Sequence, residues 1–283
     1  VFDQELVQNL SQYCDVVYID KWKTLKISKV DAIVGHFSNA QSESSRVLQR
    51  AMLATAAQFV SYSEFMEELE GRVSIQKIPS LRNFSVETRL NYLLFKRILD
   101  FVFALVIVGP CLAVSPFIAV AIKFSSPGPI LFSQTRMGFR GRPFTMYKFR
   151  TMRVEVSGSH FTSDIADHRI TSVGHILRKT RLDEIPQLWN ILKGEMSWIG
   201  PRPESLPLAK WYCRDVPLFR VRHLVRPGIS GWAQVNQGYA AGVEDVSEKV
   251  RYDLYYIKHL SFWLDLVILF KTIVVMLSGR GAR

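Results

Sequence analysis

The longest apolar run in the chain constrains its fold more than any other feature. Ile98 to Ile122 is a stretch of 25 residues in which Asp100 is the only charged side chain. At about 1.5 Å of rise per residue, a helix of this length could cross a bilayer. Pro110 and Pro116 interrupt the run near its middle, and a proline inside a helix removes a backbone donor and favours a kink.

Basic residues flank both ends of this run. Lys96 and Arg97 precede it and Lys123 follows it, and basic flanks tend to remain on the cytoplasmic side of a membrane. We therefore predict a helix-break-helix over residues 92–123 that enters one leaflet and returns, with the freed carbonyls satisfied by Ser115 or by packed protein. A kinked full span and a buried core helix are the alternatives.

Positive charge is concentrated in the second part of the chain. The whole chain has a formal net charge of +11, and residues 91–283 hold 26 basic and 14 acidic side chains. Between positions 123 and 153 there are seven basic residues and no acidic one, interleaved with aromatic residues. Such a surface suits nucleic acid, anionic lipid headgroups or a phosphorylated small substrate, and charge alone does not choose among them.

The first 80 residues have the pattern of a small α/β domain. A helix over 41–57 is predicted between the second and third of three short strands, and a further short helix is predicted to end at Gly71. The three strands are predicted at 16–20, 30–37 and 59–62. Because no G-x-G-x-x-G motif follows these strands, we expect an accessory or regulatory role here rather than a dinucleotide site.

The cysteines and the first residue lead to two further expectations, one about metal and disulfide sites and one about the origin of the chain. The three cysteines form no C-x-x-C pair, so no zinc ribbon, disulfide framework or iron-sulfur site is expected. The sequence starts without Met or a signal-like segment, which favours a fragment or a processed product.

The segment from Phe262 to Leu277 is a second apolar element. It is apolar except for Asp265, Lys271 and Thr272, and its sixteen residues are too few for a span. Helical spacing leaves a broad apolar face, which predicts a helix at the membrane interface or packed on the hairpin. An ordinary amphipathic core helix is an equal alternative.

Two adjacent carboxylates, Asp183 and Glu184, are predicted to enter the start of a helix that continues through Leu188. Acids at a helix N-terminus are stabilised as anions. An ionised Asp183 in this place could attack phosphorus, and Glu184 could hold a divalent cation. The alternative is an N-cap Asp followed by a first-turn Glu, which the spacing alone favours.

Four motifs resemble the bacterial sugar transferase family, the monotopic polyprenyl-phosphate phosphoglycosyl transferases. They are SSPGPILFSQTRMG, KFRTM, RLDEIPQLWNILKGEMSWIGPRP and RPGISGWAQVN, in that order along the chain. The resemblance runs from about residue 96 to 283, and residues 1–80 resemble the accessory α/β domain of the larger members. Members of this family move a sugar 1-phosphate from a nucleotide diphosphosugar to a polyprenyl phosphate.

The resemblance implies roles for individual residues. Asp183 is implied as the nucleophile that forms an acyl-phosphate with the sugar phosphate, and Glu184 as a Mg²⁺ ligand or an aid to proton transfer. Ser115 and Pro116 match the break of the family's re-entrant helix. The positions implied to bind the substrate phosphates or the nucleotide are Lys148, Arg150, Arg178, Pro201, Arg202 and Pro203.

The predicted architecture is α/β. It comprises a partial Rossmann-like accessory domain, a linker, a re-entrant membrane hairpin, and an α-rich catalytic domain that ends in the interfacial helix. These parts are predicted over residues 1–80, 81–91, 92–123 and 124–283.

The predicted enzyme transfers a hexose 1-phosphate from a UDP-sugar to undecaprenyl phosphate and releases UMP. It is expected at the cytoplasmic face of a bacterial inner membrane, at the first membrane step of exopolysaccharide, capsule or O-antigen synthesis. Mg²⁺ is the expected cofactor and the lipid bilayer an expected partner, nucleic acid is not expected, and a homodimer is left open. The alternative is a non-catalytic membrane scaffold of a polysaccharide assembly complex, and a nucleic-acid-binding module would leave the apolar run without purpose.

Overall fold

The computed structural model describes residues 32–35, 58–74, 89–154, 169–237 and 243–278. The chain divides into two compact units, Val1–Lys77 and Ile78–Arg283. In the described residues helices predominate, and the strands form three separate pairs.

The first unit contains a parallel strand pair and a helix. Strands β1 (Ala32–Gly35) and β2 (Gln58–Ser61) pair in parallel. Parallel pairing is expected for the predicted second and third strands, because a helix was predicted between them. Helix α1 (Tyr62–Glu70) follows directly and ends at Gly71, whose φ of 64° is the left-handed conformation that glycine adopts readily. The strand predicted at 16–20 and the helix predicted at 41–57 lie outside the described residues.

Helix α2 (Leu90–Ser125) is the predicted apolar segment, and it is 36 residues long. Among the described residues it is the one helix whose length and composition would allow it to cross a membrane, and only 11% of its most apolar stretch is buried. A core helix would be mostly covered, so the core-helix alternative is wrong.

The predicted break is not an interruption of the helix. The backbone is helical through both Pro110 and Pro116. Ser115 Oγ donates to Cys111 O at 2.6 Å, a back-bond of the kind that bends helices. The re-entrant course of the segment stays a prediction.

Both ends of the apolar run pack against other elements of the second unit, to which the run itself belongs. Near one end Arg97 Nη1 donates to Ile191 O at 2.6 Å. Near the other, Ile118 and Ile122 form a buried cluster with Phe149 and Leu177. One compact unit therefore receives both ends of the apolar run.

An antiparallel hairpin packs on this helix. Strands β3 (Leu131–Met137) and β4 (Pro143–Phe149) pair with Phe132 opposite Lys148. The β4 side chains of Phe144 and Met146 are buried in a core cluster that also contains Ala104 of α2.

The remaining elements surround this core. A 3₁₀ helix of six residues (Leu182–Gln187) runs into α4, and β5 pairs in parallel with β6. The elements are α3 (Ser172–Lys179), α4 (Leu188–Lys193), β5 (Ser197–Ile199), α5 (Leu206–Asp215), a 3₁₀ helix (Phe219–Leu224), β6 (Gly228–Ser230), α6 (Trp232–Asn236), α7 (Val243–Lys258) and α8 (Phe262–Leu277).

Helix α8 has its polar stripe turned towards the protein. Asp265 Oδ2 accepts from Lys96 Nζ at 2.5 Å, and Thr272 Oγ1 lies 2.6 Å from Ser230 Oγ. The opposite face is apolar and exposed: Trp263 is 74% and Phe270 69% accessible. This is the reverse of a helix that buries its apolar face in a core, so that alternative for α8 is wrong.

Candidate active site

Asp183 and Glu184 lie on the 3₁₀ helix Leu182–Gln187 rather than at the start of an α-helix. Arg181, immediately before it, has a φ of 59°, an uncommon conformation for a non-glycine residue that turns the chain sharply. The carboxylates are nearly inaccessible, with exposures of 6% and 5%. Burial of two adjacent acids requires compensating partners.

Apolar neighbours fix this turn to helix α2. Leu182 and Ile185 bracket the two acids and pack against the cluster that contains Ile118 and Ile122 of α2. The carboxylates therefore lie close to the end of the exposed apolar segment.

Three cations surround the two acids. Lys148 Nζ lies 2.8 Å from Glu184 Oε1 and 3.6 Å from Asp183 Oδ2. Arg202 Nη2 lies 2.9 Å, and Arg181 Nη1 3.8 Å, from the same Glu184 oxygen. This excess of positive charge would attract an anionic diphosphate.

Glu184 is held ionised. Burial alone would raise the pKa of its carboxyl, but Lys148, Arg202 and Arg181 together outweigh burial and hold the pKa well below its usual value. Glu184 therefore remains a carboxylate and serves as the common anchor of the cations.

Asp183 is in the opposite electrostatic position. Burial raises the pKa of its carboxyl, Lys148 opposes that rise, and the charge of Glu184 adds to it. Its Oδ1 atom is buried and has no hydrogen-bond partner among the described residues, and the cap position of the turn is occupied by Arg181. The geometry therefore favours a chemical role over the helix-cap alternative.

The other predicted basic residues contact neighbouring segments. Arg178, in the last turn of α3, donates from Nε to Thr151 Oγ1 at 3.0 Å. Arg150 is buried and donates from Nη2 to Ser126 O at 2.6 Å, where α2 ends. Their binding of a phosphate stays a prediction.

Pro201 and Pro203 contribute through their carbonyls. Pro201 O accepts from Gly228 N at 3.0 Å, and Pro203 O accepts from Arg136 Nη1 at 2.8 Å. Arg202 stands between them and is the residue of this loop that contacts Glu184.

A buried ionic network behind the site was missed from the sequence. It connects Arg222 with Asp253, and Lys249 with Glu204. One signal was available: Asp253 lies among Val246, Val250, Leu254 and Ile257 on the buried stripe of α7, where a charge requires a partner.

The described residues include no group of three or more His, Cys, Asp or Glu side chains that could hold a metal ion. Magnesium is often held by one or two carboxylates together with water and substrate phosphates. Asp183 Oδ1, buried and without a partner, suits such a site, whereas Glu184 Oε1 already contacts Lys148 and Arg202. The residues present are therefore compatible with a magnesium ion that takes most of its ligands from elsewhere.

The chain belongs to the bacterial sugar transferase family, whose profile matches residues 91–279. It is 42% identical, over 90% of its own length, to a UDP-N-acetylgalactosamine-undecaprenyl-phosphate N-acetylgalactosaminephosphotransferase of Aeromonas hydrophila. It is also 42% identical, over 67% of its length, to a UDP-glucose:undecaprenyl-phosphate glucose-1-phosphate transferase of Escherichia coli. The chain spans 61% of the first relative and 41% of the second.

Proposed function

We propose that this chain transfers a sugar 1-phosphate from a UDP-sugar to undecaprenyl phosphate and releases UMP. The observation that carries the proposal is the buried Asp183 carboxylate, which has one oxygen without a hydrogen-bond partner and lies 3.6 Å from Lys148 beside the cation-bound Glu184. Two relatives of the same family bear names that describe reactions of this kind.

Asp183 is assigned as the nucleophile of two half-reactions. In the first, an Asp183 oxygen forms a bond to the phosphorus that carries the sugar, and the bridging P–O bond breaks so that UMP leaves with the electron pair. In the second, an oxygen of undecaprenyl phosphate attacks the same phosphorus and Asp183 leaves as a carboxylate. Burial raises the pKa of the Asp183 carboxyl. Its carboxylate is therefore more basic, and a better nucleophile, than an ordinary one.

Glu184 and its cations organise the substrate phosphates. Lys148 and Arg202 each contact one Glu184 oxygen, which holds both cationic groups beside Asp183. Fork-shaped Arg donors and a Lys ammonium suit non-bridging phosphate oxygens. Arg178 and Arg150 are assigned to the outer part of the same anionic substrate.

Magnesium is part of the proposal. Glu184 would hold it together with the substrate phosphates, Asp183 Oδ1 could be a further ligand until it attacks phosphorus, and the ion would neutralise charge that develops on the leaving UMP. The cations of the protein provide the same kind of stabilisation to the remaining phosphate oxygens.

The membrane arrangement supports a lipid acceptor. A straight helix would place Arg97 and Ile122 about 37 Å apart, further than a hydrocarbon core of about 30 Å. Yet residues at both ends contact the same unit, which favours a hairpin with both ends on the cytoplasmic side. The outward apolar face of α8 is assigned to the same leaflet surface.

The basic run fits this assignment better than nucleic acid. Three of its members are used inside the protein: Arg136 contacts Pro203, Lys148 contacts Glu184, and Arg150 contacts Ser126. Those side chains form part of the site rather than a continuous surface along which a nucleic-acid backbone could lie.

The sugar is left to experiment because the two relatives are each 42% identical to this chain over the matched residues yet are named for different sugars. The deciding assay measures UMP release from UDP-glucose, UDP-galactose and their N-acetylated forms. It uses the chain in bilayer discs with undecaprenyl phosphate and Mg²⁺.

We expect UMP release with at least one donor, and its loss in Asp183→Asn. Asp215→Asn, which changes an exposed acid of α5, is the matched control and should retain full activity. Absence of UMP release with every donor, or normal turnover by Asp183→Asn, would contradict the proposal and favour the scaffold alternative.

A further inference from the structure

The loop that presents Arg202 is joined to β6 at its beginning and to β3 at its end, and between these points it is held by individual hydrogen bonds. Residues 201–204 connect β5 to α5, and Pro201 and Pro203 lack a backbone N–H. Such a loop relies on its carbonyls for fixed geometry. The position of the Arg202 guanidinium depends on how those carbonyls are bound.

Four consecutive carbonyls of this loop each accept a hydrogen bond. Backbone groups serve the two outer ones: Gly228 N donates to Pro201 O, and Met137 N donates to Glu204 O, each at 3.0 Å. Arginine side chains serve the two inner ones. Arg222 Nη2 donates to Arg202 O at 2.8 Å, and Arg136 Nη1 donates to Pro203 O at 2.8 Å.

Arg222 is itself fixed by a buried acid. Its Nε and Nη2 lie 3.0 Å and 2.8 Å from Asp253 Oδ2. Arg222 is 3% and Asp253 1% exposed, and the Arg222 guanidinium stacks 4.9 Å from the Phe219 ring centroid. The pair is thus enclosed and cannot contact a substrate from its present place.

A buried ion pair of this kind is a poor source of stability. Desolvation offsets most of the attraction, and apolar replacements of similar volume are often neutral or stabilising. The contact between Arg222 and the Arg202 carbonyl offers a different reason for the pair. It continues through the Arg202 side chain to Glu184, 2.9 Å away.

We infer that Asp253 and Arg222 form a positioning pair that fixes Arg202 for the phosphates of the sugar nucleotide. The pair acts through the Arg202 backbone and does not touch the substrate. This inference rests on the proposed function for the identity of the substrate, but the fixed position of Arg202 can be tested with a simpler anion.

The test replaces the pair by apolar side chains in the double variant Arg222→Met/Asp253→Leu. Removing both charges together avoids an unpaired buried ion, so the thermal unfolding midpoint should stay close to that of the wild type. We expect kcat/KM for the UDP-sugar to fall about 10-fold or more, on the scale of misplaced binding groups. Arg251→Met, which removes a cation of the same helix α7 that contacts Glu248, is the control and should change kcat/KM less than about twofold.

A double-mutant cycle separates positioning from general damage. In an Arg202→Met background, the Arg222→Met/Asp253→Leu replacement should add less than about a twofold loss, because no guanidinium remains to be positioned. A purely structural role would add the same loss in both backgrounds. Full additivity, or an unchanged kcat/KM in the variant with Arg202 intact, would overturn the inference.

Binding of inorganic diphosphate gives a readout that does not need turnover. Calorimetry on the full chain in bilayer discs should show weaker binding for Arg202→Met and, by a similar factor, for Arg222→Met/Asp253→Leu. Diphosphate binding that depends on Arg202 but not on the pair would overturn the inference alone. Arg202-dependent binding without UMP release from any donor would contradict the proposed function alone, and wild-type protein that binds no diphosphate would overturn both.

Discussion

Two neighbouring acids in one turn have opposite pKa shifts. Glu184 contacts Lys148 and Arg202 through one oxygen, and together with Arg181 these cations hold its pKa well below the usual value. Asp183 is buried with a weaker contact to Lys148 at 3.6 Å, and its pKa is raised. Environments that separate the pKa values of two neighbouring carboxylates in this way indicate different chemical roles for them.

The pH dependence of Lys148→Met follows from these shifts. Activity needs the Asp183 carboxylate, so it is lost as the pH falls through the raised pKa of Asp183. Lys148 lowers that pKa against the effect of burial, so its removal should raise the pKa further and move the acidic limb of kcat/KM to higher pH. The pH–rate profile with saturating undecaprenyl phosphate measures this shift.

The same substitution should also reduce kcat/KM about 100-fold on the plateau above the acidic limb, because one charged donor to the phosphates is lost. Lys210→Met, at an exposed position of α5, should change neither the limb nor the rate. An acidic limb that stays in place or moves to lower pH would show that the titrating group is not Asp183.

At the scale of elements, α2 and α8 bring apolar faces to the surface of one unit, and their polar side chains meet inside it. Tyr92 OH and Lys96 Nζ of α2 both donate to Asp265 Oδ2 of α8 at 2.5 Å. An ion pair that joins two elements in this way sets their relative position. We therefore expect the exposed faces to form a common surface for lipid.

Both ends of α2 should be accessible from the cytoplasmic side. Single cysteines at Asn91 and Pro127, both exposed, would be introduced in a chain whose native cysteines are replaced by Ser. Impermeant maleimide should label both in inside-out vesicles and neither in right-side-out vesicles. Labelling of one site from the periplasmic side would contradict the hairpin and favour a full span.

Helix α8 should lie in lipid along its outward face. A nitroxide at Phe270, which is 69% exposed, should be relaxed more strongly by oxygen than by a water-soluble nickel chelate when the protein is in bilayer discs. A nitroxide at Glu244, exposed at the start of α7, should show the opposite preference. Similar accessibility to the nickel chelate at both positions would contradict a membrane location for α8.

The sequence was sufficient for features that depend on local periodicity. The apolar run of α2, the glycine end of α1 and the limits of α8 all agree with the structure. Asp183 and Glu184 were singled out as a pair because they are adjacent acids, and the structure buries both. Their 3₁₀ turn was not predicted, because Arg181 in the left-handed region has no sequence signature. The polar stripe of α8 was recognised, yet its inward orientation depends on Lys96 and Ser230, which are remote in the chain.

In the ionic network behind Arg202, the apolar stripe of α7 could have shown that Asp253 needs a partner, but the identity of that partner could not be predicted for the same reason. Arg222 and Asp253 are 31 positions apart and meet only through the packing of α7 on the 3₁₀ helix Phe219–Leu224. Charge counting placed Arg222 among the excess basic residues of the second part, where its partner could not be identified.

On the scale of the whole molecule, the family match begins at residue 91 and the second compact unit at Ile78. Every contact described for the site lies within this unit. We therefore expect a chain of residues 78–283 in bilayer discs to retain kcat/KM within about threefold of the full chain. Complete loss of activity in a truncated chain that remains folded by circular dichroism would assign the first unit a direct part in the reaction.

The central claim is that Asp183 carries the sugar phosphate between donor and acceptor. Its most direct test is the intact mass of the wild-type chain after incubation with its UDP-sugar and Mg²⁺ without undecaprenyl phosphate. We expect one sugar phosphate per chain, located at Asp183 by peptide mapping, with one equivalent of UMP released and the adduct lost when undecaprenyl phosphate is added. An unmodified chain that releases UMP only when both substrates are present would contradict the covalent route.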